Sequence, residues 1–208
     1  MINMADHELT SMKLDILQEI GNIGAGNATT ALSVMLNSNL RMESPVVKIL
    51  GFDEISELVG GPDTDVAAVL THFTGEVSGM ILFILQLEEA RNLAGAMLLK
   101  NYPKDYVEFD HMDKSALKEV GNILMSSYIS SIGTLTNLQL RADPPAICVD
   151  MAASVLSLPI SELGKVGDQA LIIDSKILDN EKPINGFLMF VTDEISFERI
   201  FEALGIGC

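Results

Sequence analysis

The sequence is poor in cysteine, in positive charge and in long apolar runs, and each shortage excludes a class of protein. Its two cysteines, Cys148 and Cys208, cannot build a disulfide framework or a paired-cysteine metal site. Cys148 lies in an apolar run and is expected as a small core residue. Thirteen Lys and Arg stand against 29 Asp and Glu, a formal net charge of -16. A nucleic-acid partner is therefore not expected, because that affinity rests largely on basic side chains neutralising phosphates. A protein docking on so acidic a surface is expected to bring basic residues with it. No stretch of about 18 consecutive apolar residues occurs, so no membrane-spanning helix is expected, and the longest apolar run, Met80 to Leu85, has the length of a strand. The opening residues Met1 to Glu8 lack the basic and apolar regions of a signal peptide, which points to the cytosol.

Ready-made catalytic sets are missing too. The three histidines, His7, His72 and His111, are isolated in sequence, and His72 is expected as a satisfied structural residue in a strand. No Cys/His nucleophile pattern and no Gly-rich loop ending in Lys is present. Glu88-Glu89 and the pair Glu54 and Glu57 read as solvated helix faces. No set of carboxylates converges in sequence in the way a resident Mg²⁺ would need.

What the chain does have is a repeat. Asp15-Ile-Leu-Gln-Glu19-Ile-Gly-Asn22-Ile recurs, one hundred positions on and without a gap, as Ser115-Ala-Leu-Lys-Glu119-Val-Gly-Asn122-Ile. Leu40 and Pro45 match Leu140 and Pro145 in the same register. Each copy reads [Asp/Ser]-x3-Glu-x2-Asn-x22-Pro.

In a helix, positions i, i+4 and i+7 share one face. Asp15, Glu19 and Asn22 thus form one polar stripe, and Ser115, Glu119 and Asn122 another. Ile16, Ile20 and Ile23 lie on an adjacent stripe, the expected buried one. A solvated face would explain Glu, a good helix former. It does not explain Asn in mid-helix, where the amide competes with the backbone, nor Gly21 and Gly121, which each cost about 1 kcal/mol relative to Ala. Both costs occur twice at the same spacing, so function is the better explanation. Gly24 and Gly26 are not a dinucleotide loop, because no strand precedes them and a third glycine is missing. Close packing of a neighbouring element or a docked partner accounts for them.

The patterns predict helices over about 10–35, 53–59, 87–99, 113–135, 155–164 and 195–204. They predict strands over 40–50, 66–73, 77–87, 146–151, 169–177 and 186–191. Asn37 to Asn39 is expected as a turn and Thr74-Gly75-Glu76 as a hairpin connection, with a longer turn at Glu181-Lys182-Pro183. Each half reads helix, strand, helix, strand, strand, helix. The expected fold is α+β, internally duplicated and pseudo-two-fold symmetric, with a six-stranded, mainly antiparallel sheet on which the two motif helices pack. The whole chain, 1–208, is expected as one domain of two homologous halves, about 1–104 and 105–208.

The doubled Glu/Asn motif with its distant Pro resembles the CheC-type phosphatases of bacterial chemotaxis, a family that includes CheC, CheX and FliY; the resemblance runs over essentially the full chain. It implies dephosphorylation of the response regulator CheY, with Glu19 and Asn22 forming one active site and Glu119 and Asn122 a second. It further implies docking contacts at Asp15 and Ser115. Hydrolysis of an aspartyl phosphate needs a water held in line with phosphorus. An amide can hold it without competing as a nucleophile, a role for Asn22 and Asn122. Glu19 and Glu119 suit pairing with a regulator lysine. The chain itself would need no cofactor, the Mg²⁺ arriving with phosphorylated CheY. Pro45 and Pro145 read as structural, fixing where a strand leaves the helix layer. An adaptor that captures phospho-CheY, or regulates the receptor deamidase CheD, is the alternative; the family pairs with CheD, and Asp150 is the contact that the resemblance suggests. A flagellar-switch domain resembling the middle domain of FliM is weaker, since such domains lack the Glu/Asn motif.

Overall fold

A computed structural model describes residues 4–36, 40–163, 169–179 and 182–206. The expected turn at 37–39, Glu181 and Cys208 lie outside the described residues, as does the side chain of His7. In chain order the elements are α1 (Met4–Leu36), β1 (Arg41–Met42), β2 (Val46–Gly51), α2 (Phe52–Leu58), β3 (Asp65–Gly75), β4 (Gly79–Gln86) and α3 (Leu87–Leu98). The second half supplies α4 (His111–Thr136), β5 (Leu140–Ala142), β6 (Ala146–Met151), α5 (Ala152–Leu163), β7 (Gln169–Asp179), β8 (Lys182–Thr192) and α6 (Glu194–Ala203). The segment between α3 and α4, residues 99–110, holds no helix or strand.

The α+β class and the antiparallel sheet are as expected, but the sheet has eight strands among the described residues, not six. The first strand of each half is split at its proline. Pro45 separates β1 from β2, and Pro144-Pro145 separate β5 from β6. Proline cannot donate to a ladder, so pairing stops there and resumes one residue later on the same partner strand.

Strand order is β1/β2, β7, β8, β4, β3, β5/β6, all antiparallel. The halves exchange strands. β2 pairs with β7 of the second half, from Val46↔Asp174 to Gly51↔Gln169, and β6 pairs with β3 of the first half, from Ala146↔Leu70 to Met151↔Asp65. Six residue pairs form in each case, at equivalent positions. β4 and β8 meet between the two hairpins, from Gly79↔Thr192 to Ile84↔Phe187. Among the described residues, each half's edge strand therefore finds its ladder partner in the other half.

Both faces of the sheet are covered, which is why β4 reads as a continuous apolar run. Ile81, Phe83 and Leu85 point into the core beneath α1, α3, α4 and α6, while Met80, Leu82 and Ile84 enter a second core beneath α2 and α5. α1 and α4 also pack on each other, and Gly24 is the reason they can. A Cβ built there would lie 2.5 Å from Cδ1 of Tyr128, a fully buried ring on α4. Gly26 has nothing within 4 Å and lies open. The buried stripe of α1 runs through Leu17, Ile20, Gly24 and Ala28. It is rotated from the expected one, leaving Ile16 and Ile23 half-buried at its margins.

Candidate functional site

Two helix faces carry the candidate site, and the local sequence fixes each in place. At Gly21 a Cβ would sit 3.1 Å from Val47 Cγ2 and 3.4 Å from Pro45 Cγ, so the glycine lets α1 lie against the start of β2. At Gly121 the equivalent Cβ would meet Val69 of β3 at 2.7 Å. The mid-helix glycines sit on the sheet side, between Glu and Asn in sequence but turned away from them. The propensity they lose is exchanged for close approach of the motif helices to the sheet.

The polar stripes face outward as expected. Asp15, Glu19 and Asn22 are exposed along α1, and Ser115 and Glu119 along α4, with Asn122 half-buried. Glu and Asn three residues apart lie about 4.5 Å apart along the axis, within one turn. One rigid face thus offers a carboxylate and a carboxamide together, twice. Pro45 is buried and Pro145 half-buried at the strand breaks, consistent with structural roles. Asp150 lies away from both stripes, exposed near the end of β6 and registered with Val66.

α4 begins on a buried carboxylate. Asp110 caps the helix by accepting from the Asp113 amide at 2.9 Å, and Asp113 accepts from the Asp110 amide at 3.0 Å. Tyr102 and Tyr106, stacked with ring centroids 4.6 Å apart, donate their hydroxyls to Asp113, and Lys100 lies 3.4 Å from it. Burial alone would raise the Asp113 carboxyl, but those donors outweigh it and hold the group below its ordinary range. Burial and the Asp113 carboxylate push the Tyr102 hydroxyl up, and hydrogen bonding to Asp113 raises that of Tyr106. This cluster sets the start of α4 at His111, four residues before Ser115. Sequence reasoning missed it, although Asp110-x-x-Asp113 was a visible capping pattern.

The other candidates are structural. His72 pairs with Glu162 of α5 at 2.7 Å. Glu54 accepts from the Gly51 amide at 3.0 Å and so caps α2. Glu89 is half-buried and accepts from Asn185 of β8 at 2.7 Å, so it is not the solvated residue expected. Cys148 is half-buried, its thiol pushed up by burial and by the nearby Asp150 charge, and it packs against the core under α5. Among the described residues, no group of three His, Cys, Asp or Glu side chains could hold a metal ion, and no helix is long and apolar enough to cross a membrane.

Beside the first stripe an open cleft of about 530 Å³ is lined by Asn22, Ala25, Gly26, Thr29, Met42 and Ser44. A second groove, about 670 Å³, lies farther along α4, lined by Ile129, Ser130, Gly133, Thr134 and Arg141, and does not reach Asn122. The first stripe also has two residues that sequence reasoning passed over. Ser44 donates to Asn22 Oδ1 at 2.9 Å. Gln18 Nε2 approaches the same oxygen at 3.4 Å and donates to the Pro45 carbonyl, while the Val47 amide donates to Gln18 Oε1 at 3.2 Å. No pattern marked them: a Gln on an exposed helix face and a Ser before Pro are both ordinary.

Comparison with known proteins agrees with the duplicated reading. The model of the CheC-like family matches residues 12–49 and again 112–149, the two motif copies in the same register. The CheY-P phosphatase CheC of Bacillus subtilis is 37% identical over 197 residues, covering 93% of this chain and 94% of that protein. The flagellar motor switch phosphatase FliY of the same organism is 27% identical over 140 residues, 67% of this chain and 36% of that protein. Among solved structures, Thermotoga maritima FliY superposes with a TM-score of 0.73 at 18% identity, covering 93% of this chain and 96% of that one. The FliM middle domain from H. pylori shares the fold at a TM-score of 0.63 and 13% identity, covering 92% of this chain and 98% of that one.

Proposed function

Because this chain belongs to the CheC-like family, we propose that it is a phosphatase that hydrolyses the aspartyl phosphate of the chemotaxis response regulator CheY. One observation carries the proposal beyond family membership. The Glu/Asn pair stands twice on an outward helix face held rigidly against the sheet, with both glutamates exposed and both amides reachable. An aspartyl phosphate is already an activated bond, so catalysis consists mainly of positioning water in line and managing charge. Asn22 and Asn122 hold that water through their carboxamides. Glu19 and Glu119 pair with a basic residue of the docked regulator, with Asp15 and Ser115 extending the contact one turn on. The glutamates are not the base: a carboxylate placed against the phosphoryl group would meet a second anion. Mg²⁺ belongs to the phosphorylated substrate, where it neutralises the phosphoryl oxygens.

A single observation favours a second role. Asp150 is exposed on β6, which among the described residues pairs with β3 alone and so lies at a sheet edge. That edge suits docking of a protein such as CheD. Phosphate release from phospho-CheY separates the readings. Wild type is expected to accelerate it well beyond spontaneous loss, and Asn22→Ala and Asn122→Ala each to retain part of that rate. Binding of phospho-CheY without acceleration would leave the adaptor reading in place of the enzyme.

A further inference from the structure

We infer that Gln18 and Ser44 are positioning residues for Asn22, fixing its carboxamide with the N–H pair turned outward, and that the second site has no such device. The inference rests on the reading that Asn22 orients the attacking water. Its evidence is a chain of hydrogen bonds whose polarity is set at the far end. The Pro45 carbonyl can only accept and the Val47 amide can only donate, so the Gln18 amide can sit only one way round, with Nε2 on Pro45 and Oε1 on Val47. That orientation presents Gln18 Nε2, a donor, to Asn22 at 3.4 Å. Ser44 Oγ adds a second donor at 2.9 Å. The oxygen of Asn22 must face both. A carboxamide oxygen has two lone pairs, and both are engaged from within the protein. What remains for substrate is the NH2 group, so Asn22 acts as a hydrogen-bond donor toward the water or the phosphoryl oxygens.

The second copy cannot repeat this. Lys118 stands where Gln18 does, and Pro144 where Ser44 does. Lysine has no acceptor for the strand amide, and proline has no hydroxyl. Asn122 makes no side-chain hydrogen bond among the described residues, and its carboxamide is free to present either end. The two sites therefore differ in how much of the orienting cost is met before the regulator docks. Holding a rotamer-rich side chain in advance is worth a few-fold to tenfold in rate.

The test isolates the first site in an Asn122→Ala chain and compares Gln18→Lys, Ser44→Ala and both together, these being the second copy's lysine and a side chain without a hydroxyl. The expected result is a three- to tenfold fall in kcat with KM unchanged, and recovery in Ser44→Thr, which restores the hydroxyl. A second readout needs no turnover. Side-chain amide ¹⁵N relaxation of the full chain should give Asn22 a higher order parameter than Asn122, falling to the Asn122 level in Gln18→Lys/Ser44→Ala. An Asn22 amide no more ordered than Asn122, or kcat unchanged in the double variant, overturns the inference. Should wild type fail to accelerate phosphate release, the phosphatase reading is lost and the order parameters alone decide the positioning claim.

Discussion

Gly24 and Gly26 lie two residues apart in the middle of α1, and alanine should act on them in opposite directions. Either substitution gains about 1 kcal/mol of helix propensity. At Gly26 nothing lies within 4 Å of the new Cβ, so that gain stands almost whole, an expected stabilisation of about 0.5–1 kcal/mol. At Gly24 the new Cβ would lie 2.5 Å from Tyr128 Cδ1 and 2.8 Å from Cε1, far inside the ~3.5–4.0 Å of favourable carbon contact. Tyr128 is fully buried between the motif helices and the sheet, so α1 and α4 must separate. Overpacking of this kind costs about 1–3 kcal/mol, which cancels or exceeds the propensity gain. The two variants should therefore differ by about 1–3 kcal/mol, with Gly26→Ala above wild type and Gly24→Ala at or below it. Denaturant unfolding measures this directly, and in a thermal scan each kcal/mol moves Tm by about 2–4 °C for a chain this size. Equal stabilisation by both alanines would refute the packing explanation of Gly24.

Other outcomes follow from the same geometry. Asp113→Asn should cost about 1–3 kcal/mol at neutral pH, since it weakens a buried acceptor of several donors. Because the Asp113 carboxyl is held below its ordinary range, its contribution is present above about pH 4 and is lost as pH falls through the folded value. Denaturation between pH 2 and 7 should accordingly show a shallower acid decline in Asp113→Asn than in wild type. The Tyr102 hydroxyl is raised, so its contribution holds below about pH 10 and fades as pH climbs beyond that; Tyr102→Phe should flatten the alkaline limb. Glu19→Lys combined with Glu119→Lys should raise KM for phospho-CheY at least tenfold while leaving the unfolding midpoint within about 0.5 kcal/mol of wild type, because both side chains are exposed.

Much of this molecule can be read from its sequence, and what cannot has a common physical cause. The repeat exposes the duplication, and helical spacing places Asp15, Glu19 and Asn22 on one face without any structure. Strand periodicity says which residues point into a core; it does not say which strand lies alongside. Hence the exchange of β2 and β6 between the halves was not legible, although it makes the sheet continuous. The two- and three-residue strands β1 and β5 are too short to leave a pattern. Gly21 and Gly121 were recognisable as costly and Gly24 as a place of close packing, but only the structure shows Pro45, Val69 and Tyr128 filling the space they leave. The Gln18–Ser44 clamp brings positions 26 residues apart together on Asn22, with Gln18 anchored on the backbone of Pro45 and Val47, and no local signal marks it.

The central claim is that the two amide-bearing faces, and nothing else on the protein, carry out hydrolysis. Its most direct test is the rate of phosphate release from saturating phospho-CheY by the Asn22→Ala/Asn122→Ala double variant, after its unfolding curve is shown to match wild type. The account predicts a rate indistinguishable from spontaneous dephosphorylation of the regulator. Turnover near the wild-type rate would contradict it and move the chemistry elsewhere on the molecule.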